Sequence, residues 1–199
     1  MARATRKLDL CPEIEGEGKM WRFAGIWSKN RPEWLMTALA CMYVRTASVG
    51  LFDAMSNSAV DFIVNQTGLT TFFMSGDYLN RMIEMKKAGF LVKVTNLVVY
   101  DEPSKEGIEA AAALGMRVFS WEQMQQEGVS ASAKDYPFEE TQSRDTYAFS
   151  YTSGTTSNPK GVKLTHHMVL SVVHSVMTKI NIPQDSRVIS YLPYPHSFE

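Results

Sequence analysis

Short apolar runs alternate with helical patterns along most of this chain. From Trp21 onward, each run of β-prone residues is followed by a stretch with apolar residues three or four positions apart, and Gly, Ser, Asn or Pro separates them. Such alternation is typical of βα units on a largely parallel sheet. The sequence therefore predicts an α/β fold.

The predicted elements follow one another without internal repeats. Strands are predicted over residues 21–28, 47–52, 70–74, 96–100, 116–120, 146–152 and 187–193. Helices are predicted to begin near Asn30 and near Ser56, to cover 78–88, 108–114 and 121–128, and to begin again at Thr165. Residues 129–144 have neither period and include Pro137, so we expect a surface connection there.

Three helices have specific signals. Asn30, Pro32 and Glu33 indicate a helix start, and the buried stripe expected after it is Trp34, Leu35, Ala38, Leu39 and Met42. Ser56 and Ser58 can cap the next helix, which Gly68 closes; its expected apolar face is Val60, Ile63 and Val64. The apolar positions of the last helix are Val169, Leu170, Val173, Met177 and Ile180.

Composition excludes several classes of protein. The 199 residues include 20 basic and 21 acidic side chains, so no overall charge would attract nucleic acid or an anionic membrane. Cys11 and Cys41 are too few for a disulfide framework or a metal cluster, which favours an intracellular location. No apolar run approaches the roughly 20 residues that cross a bilayer.

One stretch combines many small and hydroxylated residues, "YTSGTTSNPKGVKLTH" at 151–166, between a predicted strand and a predicted helix. Backbone N–H groups and the hydroxyls of Ser153, Thr155 and Thr156 can donate to phosphate oxygens. Gly154 permits a sharp turn and close approach to a ligand, Lys160 supplies a positive charge, and Gly161 relieves crowding at the strand that follows. The alternative interpretation is a polar surface turn, in which such residues are common.

Two familiar nucleotide motifs do not fit. A Walker A loop needs Gly-Lys-Ser/Thr, whereas the order here is Pro-Lys-Gly. The "GEGKMW" stretch at 16–21 lacks the third glycine and the preceding strand of a dinucleotide fingerprint.

The 151–166 stretch closely resembles the phosphate-binding signature of the acyl-adenylate-forming superfamily, Y-T-S-G-T-T-G-x-P-K-G. The nearest family by this resemblance is the long-chain acyl-CoA synthetases, or fatty-acid–CoA ligases. "GIWSKNRPEWLMTALACMYVRTASVGLFDAMS" (25–56) and "YLPYPHSFE" (191–199) resemble two further blocks of that family. The resemblance thus runs from about residue 25 to the last residue, with three motifs in order.

The resemblance implies a function and a set of residues. Such enzymes convert a carboxylate and ATP to an acyl-adenylate, with Mg²⁺ as the metal, and then pass the acyl group to coenzyme A. The residues implied to bind the β- and γ-phosphates are Thr152, Ser153, Gly154, Thr155, Thr156 and Lys160. His196 is implied to line the carboxylate end of the fatty-acid site, whereas His166 is expected to be structural.

The resemblance also predicts how the chain is divided into domains, and it leaves two hypotheses for the function. Residues 1–20 are expected to form an N-terminal extension and 21–199 part of an AMP-binding domain, because the family's adenine, ribose, hinge and C-terminal lysine motifs are not in this sequence. Ser157 stands where the family usually has glycine. A serine would be strained at a position that needs positive φ.

One hypothesis is that the chain is the N-terminal part of a ligase and is inactive by itself.

The other hypothesis is an inactive relative that serves as a structural or interaction subunit. An incomplete α/β domain would expose sheet edges and apolar faces, so we expect a protein partner to cover them. Family members often associate with membranes, and peripheral association is compatible with either hypothesis.

Overall fold

The structure, a computed structural model, describes residues 1–152, 158–187 and 189–196. The strands are β1 (Ile14–Gly16), β2 (Lys19–Trp21), β3 (Phe23–Trp27), β4 (Ala47–Leu51), β5 (Thr71–Met74), β6 (Asn96–Val99), β7 (Arg117–Ser120), β8 (Thr146–Thr152) and β9 (Lys160–Thr165). The helices are α1 (Ala2–Lys7), α2 (Pro32–Met42), α3 (Asn57–Thr67), α4 (Leu79–Lys87), α5 (Lys105–Ala113), α6 (Trp121–Ser130) and α7 (His166–Lys179). One 3₁₀ turn, Gly76–Tyr78, precedes α4.

Seven of these strands form a central sheet in the order β7-β6-β5-β3-β4-β8-β9, and β1 and β2 form a separate hairpin. All neighbouring pairs in the central sheet are parallel except β8 and β9. This confirms the predicted α/β fold with a largely parallel sheet. The chain enters the sheet at β3, places β4 on one side and β5 on the other, and so changes direction there. In sheets of this kind, ligands bind outside the carboxyl ends of the strands near such a reversal.

Helices cover both faces of the sheet. One core cluster joins the sheet to α3, α4 and α5, where Val60, Ile63 and Met82 have no exposed surface. A second cluster joins the other face to α1, α2 and α6, through Ala4, Cys41 and Met124 among others. Because helices pack on both faces, every residue of β3 and β4 is buried, which explains why these strands contain only apolar residues, glycine and one serine.

The signals at the ends of α3 are confirmed. The Ser56 side chain accepts a hydrogen bond from the Ala59 N–H at 3.2 Å, as an N-cap should. Gly68 follows the helix with φ of 71°, in the left-handed region that glycine adopts most readily. Ser58 does not cap the helix, since it lies within α3.

The stripe predicted along α2 is partly wrong. Trp34 and Ala38 are buried, as expected, but Leu35 and Leu39 are 49% and 45% exposed. Residues 34, 38 and 41 follow the i, i+4, i+7 rule and share the face that packs on the sheet. Leu35 and Leu39 lie one position further round the helix, which turns them towards solvent.

The stripe predicted along α7 is not buried in this structure. Val169, Leu170, Val173, Met177 and Ile180 are between 37% and 63% exposed. The main neighbour of α7 is β9, the edge strand that it follows, so no sheet face lies beneath the helix. Its 3.6-residue periodicity therefore correctly predicts a helix, but not burial.

The predicted strand at 187–193 is also wrong: residue 187 and residues 189–193 form no strand. Residues 129 and 130 belong to α6, and 131–145 have neither helix nor strand. In the first 20 residues, Ala4 and Leu10 are buried in the second core cluster. The division of the chain at residue 20 stays a prediction. Within the described residues, no helix is both long and apolar enough to span a membrane.

A close approach between two central strands depends on Gly25. This residue of β3 pairs with Phe72 of β5, and a Cβ atom at Gly25 would lie 2.7 Å from the Phe72 ring. That distance is well inside normal van der Waals contact, so the ring occupies the space that any other side chain at 25 would need.

We therefore predict that Gly25→Ala destabilises the protein by about 1–3 kcal/mol, through overpacking of a buried site. Phe72→Leu in the same chain should relieve part of this cost, although Phe72→Leu alone leaves a cavity and is itself destabilising. Urea unfolding of the two single variants and the double variant measures the coupling. A double variant whose loss equals the sum of the single losses would contradict the proposed contact.

Candidate functional site

The signature residues lie on a β-hairpin rather than on a loop between a strand and a helix. β8 and β9 are antiparallel, and Thr152 at the end of β8 pairs with Lys160 at the start of β9. We call residues 146–165 the signature hairpin. The sequence interpretation that joined this loop directly to a helix is therefore corrected, because 160–165 add an edge strand to the sheet before α7 begins.

Of the six residues predicted to bind phosphate, the structure describes two. Thr152 and Lys160 are both exposed and face each other at the two ends of the loop. Ser153, Gly154, Thr155 and Thr156 lie outside the described residues, as does Ser157. Thr152 and Lys160, the described signature residues on either side of them, are paired at the carboxyl end of β8.

Tyr151, the first residue of the signature, fixes the hairpin to the rest of the fold. Its side chain is 2% exposed, and its hydroxyl donates to Gln66 Oε1 on α3 at 2.7 Å. A Cβ atom at Gly161, its partner on β9, would lie 3.0 Å from the Tyr151 ring. This explains the glycine of Pro-Lys-Gly and confirms that Gly161 relieves crowding. Burial raises the pKa of Tyr151 to about 12, so the hydroxyl stays a neutral donor at physiological pH.

The segment that contains His196 returns to the same edge of the sheet. The Ser150 hydroxyl donates to the Pro195 carbonyl at 3.4 Å, and a Cβ atom at Gly50 would lie 2.9 Å from the Pro195 side chain. Gly50 and Ser150 are paired on β4 and β8. The His196 N–H donates to the Pro193 carbonyl at 2.8 Å, which closes a turn over 193–196 that we call the His196 turn. The fold thus brings His196 and the signature hairpin to the carboxyl ends of β4 and β8.

Sequence reasoning missed Asn30, which it used only to mark a helix start. The residue that caps α2 is Arg31. The Asn30 side chain donates from Nδ2 to the Leu192 carbonyl at 2.6 Å and accepts at Oδ1 from the Tyr194 N–H at 2.9 Å. The sequence signal that could have indicated this role was the position of Asn30, after β3 and directly before the N-cap of α2.

His166 lies at the opposite end of the hairpin from the loop. Its N–H donates to the Asp145 carbonyl at 3.1 Å, and its ring is 5.5 Å from the ring of Tyr147. Partial burial lowers the pKa of the His166 imidazole, and the Asp145 carboxylate opposes part of that shift. The expected structural role of His166 at the start of α7 is consistent with these contacts.

A charged cleft of about 320 Å³ lies at the amino ends of β4 and β8, away from the signature loop. Two of its three basic side chains are paired with carboxylates: Arg45 and Asp145 are 2.9 Å apart, and Arg22 and Glu139 are also 2.9 Å apart. The third, Lys19, has its ammonium 3.7 Å from the centroid of the Trp21 ring. A cleft in which both arginines already have carboxylate partners offers little to an anionic ligand. The carboxyl edge is therefore the stronger candidate for the functional site.

The family is decided by comparison with known proteins. A model of the AMP-binding enzyme family matches residues 19–199, which include the signature hairpin and the His196 turn. The chain belongs to the AMP-binding enzyme family. Human long-chain-fatty-acid–CoA ligase 1 is 30% identical over 183 residues, which are 89% of this chain and 26% of the ligase. Peroxisomal acyl-CoA ligase 891 of Penicillium roqueforti is 30% identical over 185 residues.

The chain spans about a quarter of the length of those relatives: its match covers 87% of the chain but 25% of the Penicillium ligase. Solved structures support the fold. The A domain of a carboxylic acid reductase from Segniliparus rugosus, in complex with AMP and a co-purified carboxylic acid, has a TM-score of 0.69 at 19% identity, over 98% of this chain and 32% of that one. The N-terminal domain of FACL13 from Mycobacterium tuberculosis has a TM-score of 0.66 at 20% identity, over 98% and 42%.

We predict that Tyr151→Phe lowers the free energy of unfolding by about 1 kcal/mol at pH 7, because Gln66 loses its donor. Tyr191→Phe is the matched control. The Tyr191 side chain is 77% exposed, so water can bind any group that its hydroxyl leaves without a partner. Urea unfolding measures both variants. Equal losses would contradict the assigned hydrogen bond.

The same pair of variants has a second readout in base. An unfolded tyrosine ionises near pH 10, whereas the pKa of folded Tyr151 is raised to about 12. The unfolded state therefore loses its proton first, and this contribution to stability is complete below pH 10 and declines as the pH rises to 12. Tyr151→Phe should flatten that decline, and Tyr191→Phe should not.

Proposed function

We propose that this chain supplies the ATP-binding hairpin of a long-chain fatty acid–CoA ligase. The observation that carries the proposal is the meeting of two separate signature segments at one edge of the sheet. Thr152 and Lys160 lie at the ends of the phosphate loop, and the His196 turn packs against β4 and β8 beside it. The ligases that the chain resembles support the substrate class.

The chemistry of the proposed reaction explains these residue types. A carboxylate is a poor electrophile. Attack of its oxygen on the α-phosphorus of ATP would release pyrophosphate and leave AMP as a leaving group on the acyl carbon. Hydroxyl and backbone N–H donors at Thr152, Ser153, Gly154, Thr155 and Thr156 would bind the β- and γ-phosphates, and Lys160 would offset the charge on departing pyrophosphate. His196 would face the carboxylate end of the fatty acid. The thioester with coenzyme A would form in a second step.

Magnesium is proposed as the metal of this reaction, bound with the nucleotide. Among residues 1–152, 158–187 and 189–196, no group of three or more His, Cys, Asp or Glu side chains could hold a metal ion. Mg²⁺ commonly binds through substrate phosphates and water, with one or two protein ligands. We therefore propose that ATP phosphate oxygens supply much of its coordination in this part of the protein.

We also propose an intracellular location. Cys11 and Cys41 are buried free cysteines that form no disulfide with each other, which fits a reducing compartment. Relatives from Penicillium roqueforti and Arabidopsis thaliana are named as peroxisomal. The complete reaction, with fatty acid, ATP and coenzyme A, is proposed for a protein of the length of these relatives.

One observation favours a second candidate function, an inactive relative that serves as an interaction subunit. The exposed apolar side chains of α7 form a surface that a protein partner could cover. ATP binding separates the two candidates: the ligase proposal requires it, whereas an inactive subunit does not.

We predict that Lys160→Ala weakens ATP binding about tenfold or more, because a charged hydrogen bond to phosphate contributes about 1.5–3 kcal/mol. Lys163→Ala is the matched control. It removes the same charge from the same strand, but its side chain forms an ion pair with Glu17 instead. Calorimetric titration with ATP and Mg²⁺ measures both. If both variants weaken ATP binding equally, Lys160 acts only through the net charge of the protein, which would contradict its assigned role.

We further predict that Ser157→Gly strengthens ATP binding about fivefold, if the family glycine at this position permits positive φ that serine adopts at a cost of about 1 kcal/mol. Ser186→Gly, at an exposed position outside the signature, is the control and should leave affinity unchanged. An unchanged or weaker affinity for Ser157→Gly would contradict the idea that serine strains the loop. Failure of both the natural chain and Ser157→Gly to bind millimolar ATP would contradict the ligase proposal.

A further inference from the structure

A single side-chain amide connects the carboxyl end of β3 to the segment before His196. Asn30 Nδ2 donates to the Leu192 carbonyl at 2.6 Å, and Asn30 Oδ1 accepts from the Tyr194 N–H at 2.9 Å. These two backbone groups lie on either side of Pro193. Asn30 also donates to the Ser190 hydroxyl at 3.2 Å. One residue thus binds three positions of a segment about 160 residues later in the chain.

The β3 side of this connection is well anchored. Ile26 in β3 is fully buried, and Arg31, which follows Asn30, is held by carboxylates on two sides. Its Nε binds Glu33 at 2.8 Å and its Nη1 binds Asp101 at 2.9 Å. Asp101 in turn accepts from the Gly76 N–H at 2.7 Å. Asn30 therefore starts from a backbone that the sheet and its loops already fix.

The far side of the connection also fits closely. The Tyr194 ring is 5.2 Å from the ring of Trp34, and it packs on the cluster of Ile26, Trp34 and Ala38. Pro195 is buried against Gly50. The His196 turn thus has apolar contacts on two sides, but these contacts are not directional. Besides the Ser150 hydroxyl, which donates to the Pro195 carbonyl at 3.4 Å, the amide of Asn30 supplies directional hydrogen bonds that orient the turn.

We propose that Asn30 is a positioning residue that holds the His196 turn at the carboxyl ends of β4 and β8. An amide is required because Asn30 must donate to one backbone group and accept from another. Aspartate retains the acceptor but turns an oxygen towards the Leu192 carbonyl, and alanine retains neither group. The proposal rests on the proposed function only where it concerns the fatty acid that His196 faces.

Hydrogen–deuterium exchange of the natural chain and its variants tests the orientation of the turn. In Asn30→Ala, amides in peptides covering 191–196 should exchange about five- to tenfold faster, since the hydrogen bonds to the Leu192 carbonyl and from the Tyr194 N–H are lost. Asn30→Asp should also speed exchange there. Peptides from β5 and β6 should be unchanged, which shows that the sheet is intact. If Asn30→Ala does not fold, Asn30→Asp provides the same readout.

Asn65→Ala is the matched control. Asn65 lies on α3, and its amide donates to the Asp61 carboxylate on the surface at 2.9 Å. Removal of this amide should leave exchange at 191–196 unchanged. Unchanged exchange in both Asn30→Ala and Asn30→Asp, or an equal increase in Asn65→Ala, overturns the inference.

A photoreactive palmitate analogue tests the consequence for the proposed fatty-acid site. The analogue should label peptides that contain His196 in the natural chain, and labelling should fall about fivefold or more in Asn30→Ala. Gly50→Ala should produce a similar loss by displacing Pro195 from the other side. Faster exchange with unchanged labelling would overturn the positioning role towards the fatty acid. Absence of labelling in the natural chain would count against the proposed function, while exchange would still decide whether Asn30 orients the turn.

Discussion

The parallel pairing of β4 with β8 is the interaction on which the candidate site depends. It joins strands about 100 residues apart in the sequence, with Ser48, Val49 and Gly50 opposite Ala148, Phe149 and Ser150. A parallel pair aligns the carboxyl ends of its strands, so this register alone brings the start of the signature loop to the edge of the sheet. The same two strands then receive the His196 turn. A shift of one residue would exchange the side chains on the two faces and remove both contacts.

The two ends of the sheet have different electrostatic character. At the amino ends, Arg22 and Arg45 are paired with carboxylates in a charged cleft. At the carboxyl edge, the described ends of the signature loop are a threonine and an exposed lysine. An anionic ligand would meet two arginines already paired with carboxylates at the amino ends, and a threonine hydroxyl and a lysine ammonium at the carboxyl edge. This contrast favours the edge near β8 over the charged cleft for the phosphate binding that we propose.

Local sequence signals predicted the parts of the fold that depend on local physics. Ser56 and Gly68 mark the ends of α3 because capping and positive φ are properties of single residues. The α/β class was predicted from the alternation of short apolar runs with helical patterns. Short, mostly apolar runs are what strands covered on both faces require. The signature hairpin was identified by its residues, but no bounds were predicted for its second strand, because a glycine and two lysines at 160–163 obscured the strand pattern.

Burial and long-range contacts were less predictable. The apolar positions of α7 have helical spacing, yet whether a surface lies against them depends on elements elsewhere in the fold. Residues 187–193 include β-prone side chains, but Asn30 binds the Leu192 carbonyl and the Ser190 hydroxyl there, and the described residues 187 and 189–193 form no strand. Asn30 illustrates the general difficulty: Leu192 and Tyr194 lie 162 and 164 positions away and bind it through backbone atoms, which leave no trace in the side-chain pattern.

Tyr151 has a further consequence for how the signature loop would respond to its ligand. Its hydroxyl is bonded to Gln66 near the end of α3, the helix that connects β4 to β5. A ligand that shifts Tyr151 would therefore also strengthen or weaken its hydrogen bond to the last turn of that helix. Occupancy of the phosphate site that we propose would thus be thermodynamically linked to the stability of α3.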